Sequence, residues 1–166
     1  MIDTFRLHSA YRFAFEAHGD QVYGDVAPYI FHCVDVVKVL QRYGADEDLV
    51  IAGLLHDTLE DTDTTYAMIE CDFGKRVADL VYAVTNEPGA NRAERHAKTY
   101  PKIVACQGAT MLKLADRIAN VEYSVAHNSP QLGMYKKEYP GFKAALYQPN
   151  WYVAMWDRLD ALLEGE

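Results

Sequence analysis

The stretch that decides the fold reads Gly53-Leu-Leu-His-Asp-Thr-Leu-Glu-Asp61, and it places one histidine and three carboxylates directly after an apolar run. Residues 49–55 are apolar nearly all round, which is typical of a helix buried in a bundle. Desolvating charged side chains costs free energy unless they are paired or bind a metal. The polar groups that border this core segment therefore need partners, and a metal ion is one such partner.

A metal ion at this point needs ligands from more than one segment. Imidazole nitrogens and carboxylate oxygens suit zinc, manganese, iron and other divalent first-row ions. On one helix, the adjacent His56 and Asp57 point about 100° apart and can flank a single ion. The candidates that complete the shell are polar residues interrupting apolar faces, His32 and Asp116. An ion pair with Arg117 or Lys113 is the alternative for Asp116.

Apolar residues recur at helical spacing along most of the chain, whereas no segment shows the alternation of a strand. We predict helices over residues 5–18, 32–43, 49–55, 64–84 with Gly74 within it or at a break in it, 92–104 as two basic helices or half-helices with Pro101 at a break or in a first turn, 111–121, 131–146 interrupted at Pro140 and Gly141, and 151–163. Residues 19–28 and 86–90 contain the glycines and prolines of loops. The predicted fold class is all-α.

Length and charge limit the classes of function. A chain of 166 residues fits one domain, and we expect residues 1–166 to form it. The formal net charge of -8 argues against a broad duplex nucleic-acid surface, which needs a clustered cationic face. Because the screening length at physiological salt is about 8 Å, a few local cations can still bind a small phosphorylated ligand.

The cysteines and the termini indicate a cytoplasmic protein. Cys33, Cys71 and Cys106 form no CxxC pair, which favours free thiols in a reducing compartment over a disulfide framework or a thiolate zinc site. The N-terminus lacks the apolar core of a targeting segment, and no apolar run approaches the roughly 18 residues of a membrane span. We expect no membrane partner.

Several segments carry a resemblance to a known family. They are Pro28-Tyr-Ile-Phe-His32, Leu54-Leu-His-Asp-Thr-Leu-Glu-Asp-Thr62, Phe73-Gly74, Leu80-Val-Tyr-Ala-Val-Thr85, and Leu112-Lys-Leu-Ala-Asp-Arg117 with Asn120. Together they resemble the hydrolase domain of RelA/SpoT proteins, a branch of the HD superfamily, whose signature is His…His-Asp…Asp. The resemblance covers residues 8–146 and implies an HD-type helical bundle. It leaves no room for a nucleotide synthetase domain, so it implies hydrolysis alone.

The resemblance also implies a reaction and a metal. In that family the two histidines and two aspartates bind manganese, and the reaction removes the 3′ pyrophosphate from guanosine tetra- or pentaphosphate. The implied ligands here are His32, His56, Asp57 and Asp116. The implied ion is Mn²⁺, with Zn²⁺, Fe²⁺, Co²⁺ or another first-row ion as alternatives.

Glu60 and Asp61 are the catalytic pair that the resemblance implies. A divalent ion lowers the pKa of a bound water from about 15.7 towards 7 to 10, which produces a nucleophile near neutral pH. Glu60 lies three residues after Asp57, so a continuing helical turn puts it on the ligand side, where it can orient that water or accept its proton. Asp61 can assist. The alternative is a pair of helix-end carboxylates that face the solvent.

Five residues are candidate substrate contacts: Tyr29, Arg92, Arg95, Lys98 and Asn120. The Asn120 amide, one turn after Asp116, can reach a sugar or a phosphate. The three basic residues follow the Pro88-Gly89 loop, where the family keeps cations near its phosphates. The Tyr29 ring can stack on a base, although core packing is the favoured reading. Each has a structural alternative, an exposed helix position for Asn120 and a solvated face for the basic residues.

This chain departs from the family pattern in the first loop. Gln21 is followed by Val22 and Tyr23, where the family generally carries basic residues that contact the nucleotide. Cys33 stands in place of a proline and Ala119 in place of a histidine. These changes touch neither the ligands nor the catalytic pair, but they weaken the case for a guanosine substrate. An adenosine alarmone, NADPH or a deoxynucleotide is the alternative.

The remaining polar and aromatic candidates receive structural interpretations. His18 and His96 are lone histidines, which are usually structural or exposed. Trp151, Tyr152 and Trp156 form an aromatic stripe that indicates core packing or a subunit contact, so a homo-oligomer is possible. Besides the alarmone hydrolase, two other functions stay open: a broader nucleotide phosphatase or nucleotidase, and a nucleotide sensor without catalysis.

Overall fold

The computed structural model describes residues 3–24 and 27–164, and these are mostly α-helical. The all-α prediction is therefore confirmed. The helices are α1 Thr4–His18, α2 Ile30–Arg42, α3 Glu47–Leu55, α4 Thr58–Asp61, α5 Tyr66–Phe73, α6 Lys75–Val84, α7 Arg92–Ala105, α8 Ala109–Ala126, α9 Gln131–Leu146 and α10 Val153–Glu164. The strands β1 Val22–Tyr23 and β2 Ala27–Pro28 form a small antiparallel ladder.

Helix α3 lies at the centre of the bundle. Residues 49–55 are all buried, and the helix packs against α1, α2, α6 and α8. Its N-terminus is capped by Asp46, whose Oδ1 accepts from the Leu49 amide at 3.0 Å. Gly53 lets α2 approach closely, since a Cβ there would lie 2.6 Å from Leu40 Cδ1. The close packing of α2 and α3 sets the positions of the polar residues that each helix carries.

Helix α8 is the second core helix and contacts α2, α3, α6, α7, α9 and α10. It begins after Gly108, which has a φ of 92°, a conformation that favours glycine. Most of its side chains are buried, including the charged Asp116 and Arg117. Its position brings Asp116 towards the residues at the end of α3. Within the described ranges, no helix is both long enough and apolar enough to cross a membrane.

The predicted interruption at Pro140 and Gly141 is wrong, and Pro101 lies neither at a break nor in the first turn of a helix. Helix α7 continues through Pro101, and α9 continues through Pro140 and Gly141. A proline inside a helix removes the hydrogen bond to the carbonyl four residues earlier. Those carbonyls belong to Ala97 and Lys136, which are exposed residues, so water can take the place of the missing donor.

Two other helix boundaries depend on backbone conformation. Of the two positions predicted for Gly74, within a helix or at a break, the structure has the break, because this residue has a φ of 90° between α5 and α6. The last helix begins at Val153 and not at Trp151, since Asn150 and Tyr152 adopt positive φ values of 68° and 55°. Trp151 is consequently exposed. The indole of Trp156, by contrast, is 2% exposed and packs in the core.

The segment predicted as a break over residues 19–28 contains the two short strands. Val22 pairs with Pro28 and Tyr23 with Ala27. Two residues are too few to show an alternating pattern, which is why the sequence contains no strand signal. The tip of this segment, Asp25 and Val26, lies outside the described residues.

Candidate metal centre

The predicted metal ligands come together from three parts of the chain. His32 lies in the first turn of α2, His56 and Asp57 follow the end of α3, and Asp116 lies within α8. The Nε2 atoms of His32 and His56 are 3.3 Å apart, and His56 Nε2 is 2.9 Å from Asp57 Oδ2. Asp116 Oδ1 is 3.4 Å from His32 Nε2 and 3.8 Å from His56 Nε2. We call these four side chains the HD cluster.

His56 and Asp57 do not share a helix, so this part of the sequence prediction is wrong. Helix α3 ends at Leu55 and α4 begins at Thr58, with the two ligand candidates in the bend between them. The Thr58 hydroxyl donates to the Leu55 carbonyl at 2.7 Å and closes this bend. The side chains of both residues reach one point from this bend.

The geometry of the HD cluster fits a divalent metal ion. Ligand atoms at about 2.0 to 2.2 Å from one ion lie about 3 to 4.4 Å from each other. His32, His56 and Asp57 offer atoms that all lie within 4.8 Å of one another, and Asp116 Oδ1 is within 3.8 Å of both imidazoles. His56 Nδ1 is 2.9 Å from the Gly53 carbonyl, which places the proton of the neutral imidazole on Nδ1, so Nε2 is the nitrogen that can ligate in that form.

Burial and charge act together on the ionisable groups of the HD cluster. Burial alone would raise the pKa of Asp57, but the adjacent His56 lowers it below the usual value. Burial likewise opposes ionisation of Asp116, and Lys113 and His32 hold its pKa well below normal. For His56, burial is outweighed by the two carboxylates, which raise its pKa. The carboxylates are therefore charged and can bind a cation.

Three neighbouring side chains orient the carboxylates. The Tyr29 hydroxyl donates to Asp57 Oδ2 at 2.6 Å. Lys113 Nζ donates to Asp116 Oδ2 at 2.9 Å, and Asn120 Nδ2 donates to Asp116 Oδ1 at 2.5 Å. The ion pair weighed as an alternative for Asp116 thus exists beside its contact with the HD cluster. Residues that hold ligands in this way commonly influence metal affinity.

Tyr23 also belongs to this site, although the sequence indicated it only as a departure from the family pattern. Its ring stacks on His32, with centroids 4.6 Å apart and an interplanar angle of 18°. Its hydroxyl donates to Asn120 Oδ1 at 2.8 Å. Periodicity could not reveal these contacts, because they depend on the short β-ladder.

Glu60 and Asp61 lie on the exposed side of α4. The Glu60 carboxylate accepts from Asn86, from the backbone N at 3.0 Å and from Nδ2 at 3.1 Å. Burial, followed by the charges of Asp57 and Glu60, raises the pKa of Asp61 to about 6. A carboxyl group with a pKa close to neutral is suited to proton transfer. The Asp61 carbonyl accepts from Gln21 Nε2 at 2.7 Å, which ties α4 to the first loop.

Two of the three basic residues predicted to contact substrate, Arg92 and Lys98 on α7, form ion pairs with glutamates. Arg92 pairs with Glu138 on α9, and Lys98 Nζ lies 2.6 Å from Glu94 Oε1. Arg95 is partly buried on the same helix. These described contacts do not bring the three side chains to the HD cluster, so their role in substrate binding stays a prediction.

Neither of the two lone histidines belongs to the HD cluster. His18 is buried, its ring lies 4.5 Å from that of Tyr29, and its Nδ1 is 2.9 Å from Gln21 Oε1. His96 is buried beside Tyr100 and lines a groove of about 1140 Å³ between α7 and α9. Burial, and then the charge of Arg92, lower the pKa of His96 to about 4.

Comparison with known proteins gives the class to which this fold and site correspond. The family model described as HD domain matches residues 10–140. The chain therefore belongs to the HD-domain family.

More particular relatives agree with the resemblance to RelA/SpoT proteins. The chain is 42% identical over 120 residues to guanosine-3′,5′-bis(diphosphate) 3′-pyrophosphohydrolase of Aquifex aeolicus, covering 70% of this chain but 17% of that protein. It is 39% identical over 123 residues to guanosine-3′,5′-bis(diphosphate) 3′-pyrophosphohydrolase MESH1 of Danio rerio, covering 71% of this chain and 68% of that one. The chain thus spans about a sixth of the Aquifex protein and two thirds of MESH1.

A solved structure of a metazoan orthologue of SpoT has the same fold. The TM-score is 0.81, with 99% of this chain and 97% of that chain covered, at 22% sequence identity. At this identity the likeness concerns the fold. The predicted HD-type helical bundle is confirmed.

Proposed function

We propose that this chain is a metal-dependent hydrolase that removes the 3′ pyrophosphate from guanosine tetra- or pentaphosphate. The observation that carries the proposal is the buried HD cluster of two imidazoles and two carboxylates, whose distances suit one divalent ion. Relatives 39% and 42% identical to this chain are named for that reaction. The helices that carry the HD cluster lie within residues 10–140, which the HD-domain model matches.

His32, His56, Asp57 and Asp116 are the proposed ligands, and Mn²⁺ is the proposed ion. Nitrogen and oxygen donors in equal number suit manganese as well as the other first-row ions. When bound, a divalent cation supplies Lewis acidity, which neutralises phosphoryl charge and acidifies a water molecule. The hydrogen bonds that Tyr29 and Lys113 donate would keep the two carboxylates in place during turnover.

Glu60 and Asp61 are the proposed catalytic residues. Water adds to the phosphorus joined to the ribose 3′ oxygen, the bond between this oxygen and phosphorus breaks, and the oxygen receives a proton, so the products are pyrophosphate and the 5′-phosphorylated nucleoside. Asn86 holds both oxygens of Glu60, which fixes a carboxylate that can orient the water. Asp61, whose pKa is raised to about 6, can accept and return a proton near neutral pH.

Substrate contacts are proposed for Tyr29, Arg92, Arg95, Lys98 and Asn120. Three of these residues contact carboxylates in the protein alone, Arg92 with Glu138, Lys98 with Glu94 and Tyr29 with Asp57. Nucleotide phosphates carry the same charge as those carboxylates and can exchange with them. We also propose that the chain acts in the cytoplasm as one domain over residues 1–166, without a duplex nucleic-acid partner, and that it can form a homo-oligomer.

The test is product analysis with purified protein and guanosine tetraphosphate. We expect pyrophosphate and GDP in equal amounts, dependent on Mn²⁺ and abolished in Asp57→Ala. Glu60→Ala should bind Mn²⁺ as the parent protein does but turn over more slowly. A folded, metal-loaded protein that releases no pyrophosphate would contradict the proposal. Full activity of Glu60→Ala would remove only the assignment of that residue.

A broader nucleotide phosphatase is the second candidate, and the aromatic first loop favours it. Tyr23 occupies the space beside His32 and Asn120 without offering a positive charge to phosphate. A panel of adenosine, guanosine and deoxynucleotide substrates separates the two functions. Release of inorganic phosphate from many of them would favour the broader activity.

A further inference from the structure

The turn that carries Tyr23 fits closely against α8. Gly24 has a φ of 62°, and a Cβ at this position would lie 2.1 Å from the Tyr123 hydroxyl oxygen. A residue with a side chain at this position would displace the Tyr123 hydroxyl or move the turn, and the positive φ would strain it. The Tyr23 and Tyr123 rings meet edge to face with centroids 4.7 Å apart. The backbone and the neighbouring ring thus hold Tyr23 in one place.

From this place Tyr23 makes two different contacts with the HD cluster and its surroundings. The ring lies parallel to the His32 imidazole, as described above, and limits rotation of that ligand. The hydroxyl donates to Asn120 Oδ1 at 2.8 Å.

The hydroxyl contact determines the orientation of the Asn120 amide. Because Oδ1 accepts from Tyr23, Nδ2 points in the opposite direction and donates to both the Asp116 carbonyl at 3.0 Å and Asp116 Oδ1 at 2.5 Å. A reversed amide would place an oxygen against the Asp116 carboxylate. Tyr23 therefore acts on Asp116 through Asn120, as well as on His32 directly.

We propose that Tyr23 is a positioning residue for the metal centre, which orients His32 by stacking and Asp116 through Asn120. The proposal rests on the metal site of the proposed function but not on its substrate. It predicts that Tyr23 influences metal affinity in the absence of any nucleotide. A residue that only filled space beside the site would affect stability and leave that affinity unchanged.

The experiment measures Mn²⁺ affinity in metal-stripped protein by the electron paramagnetic resonance signal of free Mn²⁺. Tyr23→Leu removes both contacts, and we expect affinity about 10- to 100-fold weaker, as for other residues that orient ligands. Tyr23→Phe keeps the ring and loses the hydroxyl, so we expect a loss of about 2- to 12-fold, the equivalent of one hydrogen bond. Tyr11→Leu and Tyr11→Phe, at an exposed tyrosine on α1, are the matched controls and should bind as the parent does.

Thermal unfolding in the absence of metal identifies variants that do not fold. Affinity of folded Tyr23→Leu within about twofold of Tyr11→Leu would overturn the proposal. If Tyr23→Leu is unfolded, Tyr23→Phe decides, and parent-like affinity in that variant would overturn it. If the parent protein hydrolyses guanosine tetraphosphate and Tyr23→Leu binds Mn²⁺ as the parent does, the positioning role is wrong and the proposed function stands. If the Tyr23 variants bind Mn²⁺ more weakly but the parent protein does not hydrolyse guanosine tetraphosphate, the proposed function is wrong and the positioning role stands.

Discussion

Replacing Glu138 with alanine should strongly destabilise the protein. Glu138 on α9 joins two arginines, Arg92 on α7 and Arg117 on α8, and its Oε2 lies 3.0 Å from Arg117 Nη1. The Arg117 side chain is 4% exposed, and its guanidinium lies over the rings of Tyr135 and Phe142 at 4.8 and 4.6 Å. Because a guanidinium cannot lose its proton, removal of Glu138 leaves a buried charge without its carboxylate partner.

The magnitude follows from the burial of the pair. Removing one partner of a fully buried ion pair costs about 3 to 5 kcal/mol. The Glu138 side chain is 19% exposed, so solvent reduces the expected loss to about 2 to 4 kcal/mol. In a domain of this size, that corresponds to a decrease in Tm of roughly 4 to 16 °C. Glu138→Gln keeps an acceptor oxygen and should lose less.

The matched control is Glu122, which also joins two arginines, but at the surface. Its Oε1 lies 2.9 Å from Arg42 Nη1 and 3.0 Å from Arg158 Nη2, and those arginine side chains are 48% and 44% exposed. Glu122→Ala should therefore cost about 0 to 1 kcal/mol. Urea denaturation of both variants gives the two free energies of unfolding. Equal losses for Glu138→Ala and Glu122→Ala would refute the reasoning from burial.

Three further outcomes are expected. Gly53→Ala places a methyl 2.6 Å from Leu40 Cδ1 and should destabilise the protein by about 1 to 3 kcal/mol. Gly133→Ala meets no described atom within 4 Å and should be neutral or stabilising by up to about 1 kcal/mol. Urea denaturation measures both free energies of unfolding, and equal effects would contradict the close packing of α2 on Gly53. The folded state lowers the pKa of His96 from 6.5 to about 4, so protonation favours unfolding, and the free energy of unfolding should decrease by up to about 1.4 kcal/mol per pH unit as the pH is lowered from 6.5 to 4. Thermal melts of His96→Gln should depend less on pH over this range, whereas those of His8→Gln, at an exposed histidine, should depend on pH as the parent protein does. Addition of Mn²⁺ at about 100 times its Kd should stabilise the protein by about 2.7 kcal/mol, and a chelator should reverse the shift in Tm; an unchanged Tm would contradict a site that binds the ion only in the folded state.

The sequence was informative about the helices wherever stability depends on residues close together in the chain. The apolar run of residues 49–55 predicted a buried helix, and the glycine at position 74 gave a break as one of two alternatives, because both are local properties. The breaks predicted at Pro140 and, as one of two alternatives, at Pro101 were wrong, since the cost of a helical proline depends on whether the freed carbonyl reaches water. That exposure is set by the packing of α7 and α9 on the rest of the bundle.

In the candidate site, too, the sequence indicated what depends on neighbouring residues in the chain and missed what depends on tertiary contacts. Polar residues in apolar surroundings are visible in a sequence, and this contrast directed attention to His32, Asp57 and Asp116. The contacts of Tyr23 are not visible, since they require a two-residue strand, a glycine turn and the far side of α8 to meet. Lys113 appeared only as a competing partner of Asp116, whereas in the structure it holds a carboxylate that also faces the histidines.

The central claim is that four side chains bind one divalent cation. Diffraction from crystals soaked in Mn²⁺, recorded for anomalous scattering, tests it most directly. The account predicts one anomalous peak at about 2.0 to 2.2 Å from His32 Nε2, His56 Nε2, Asp57 Oδ2 and Asp116 Oδ1. A peak held by other residues, or none at a Mn²⁺ concentration that supports activity, would contradict it.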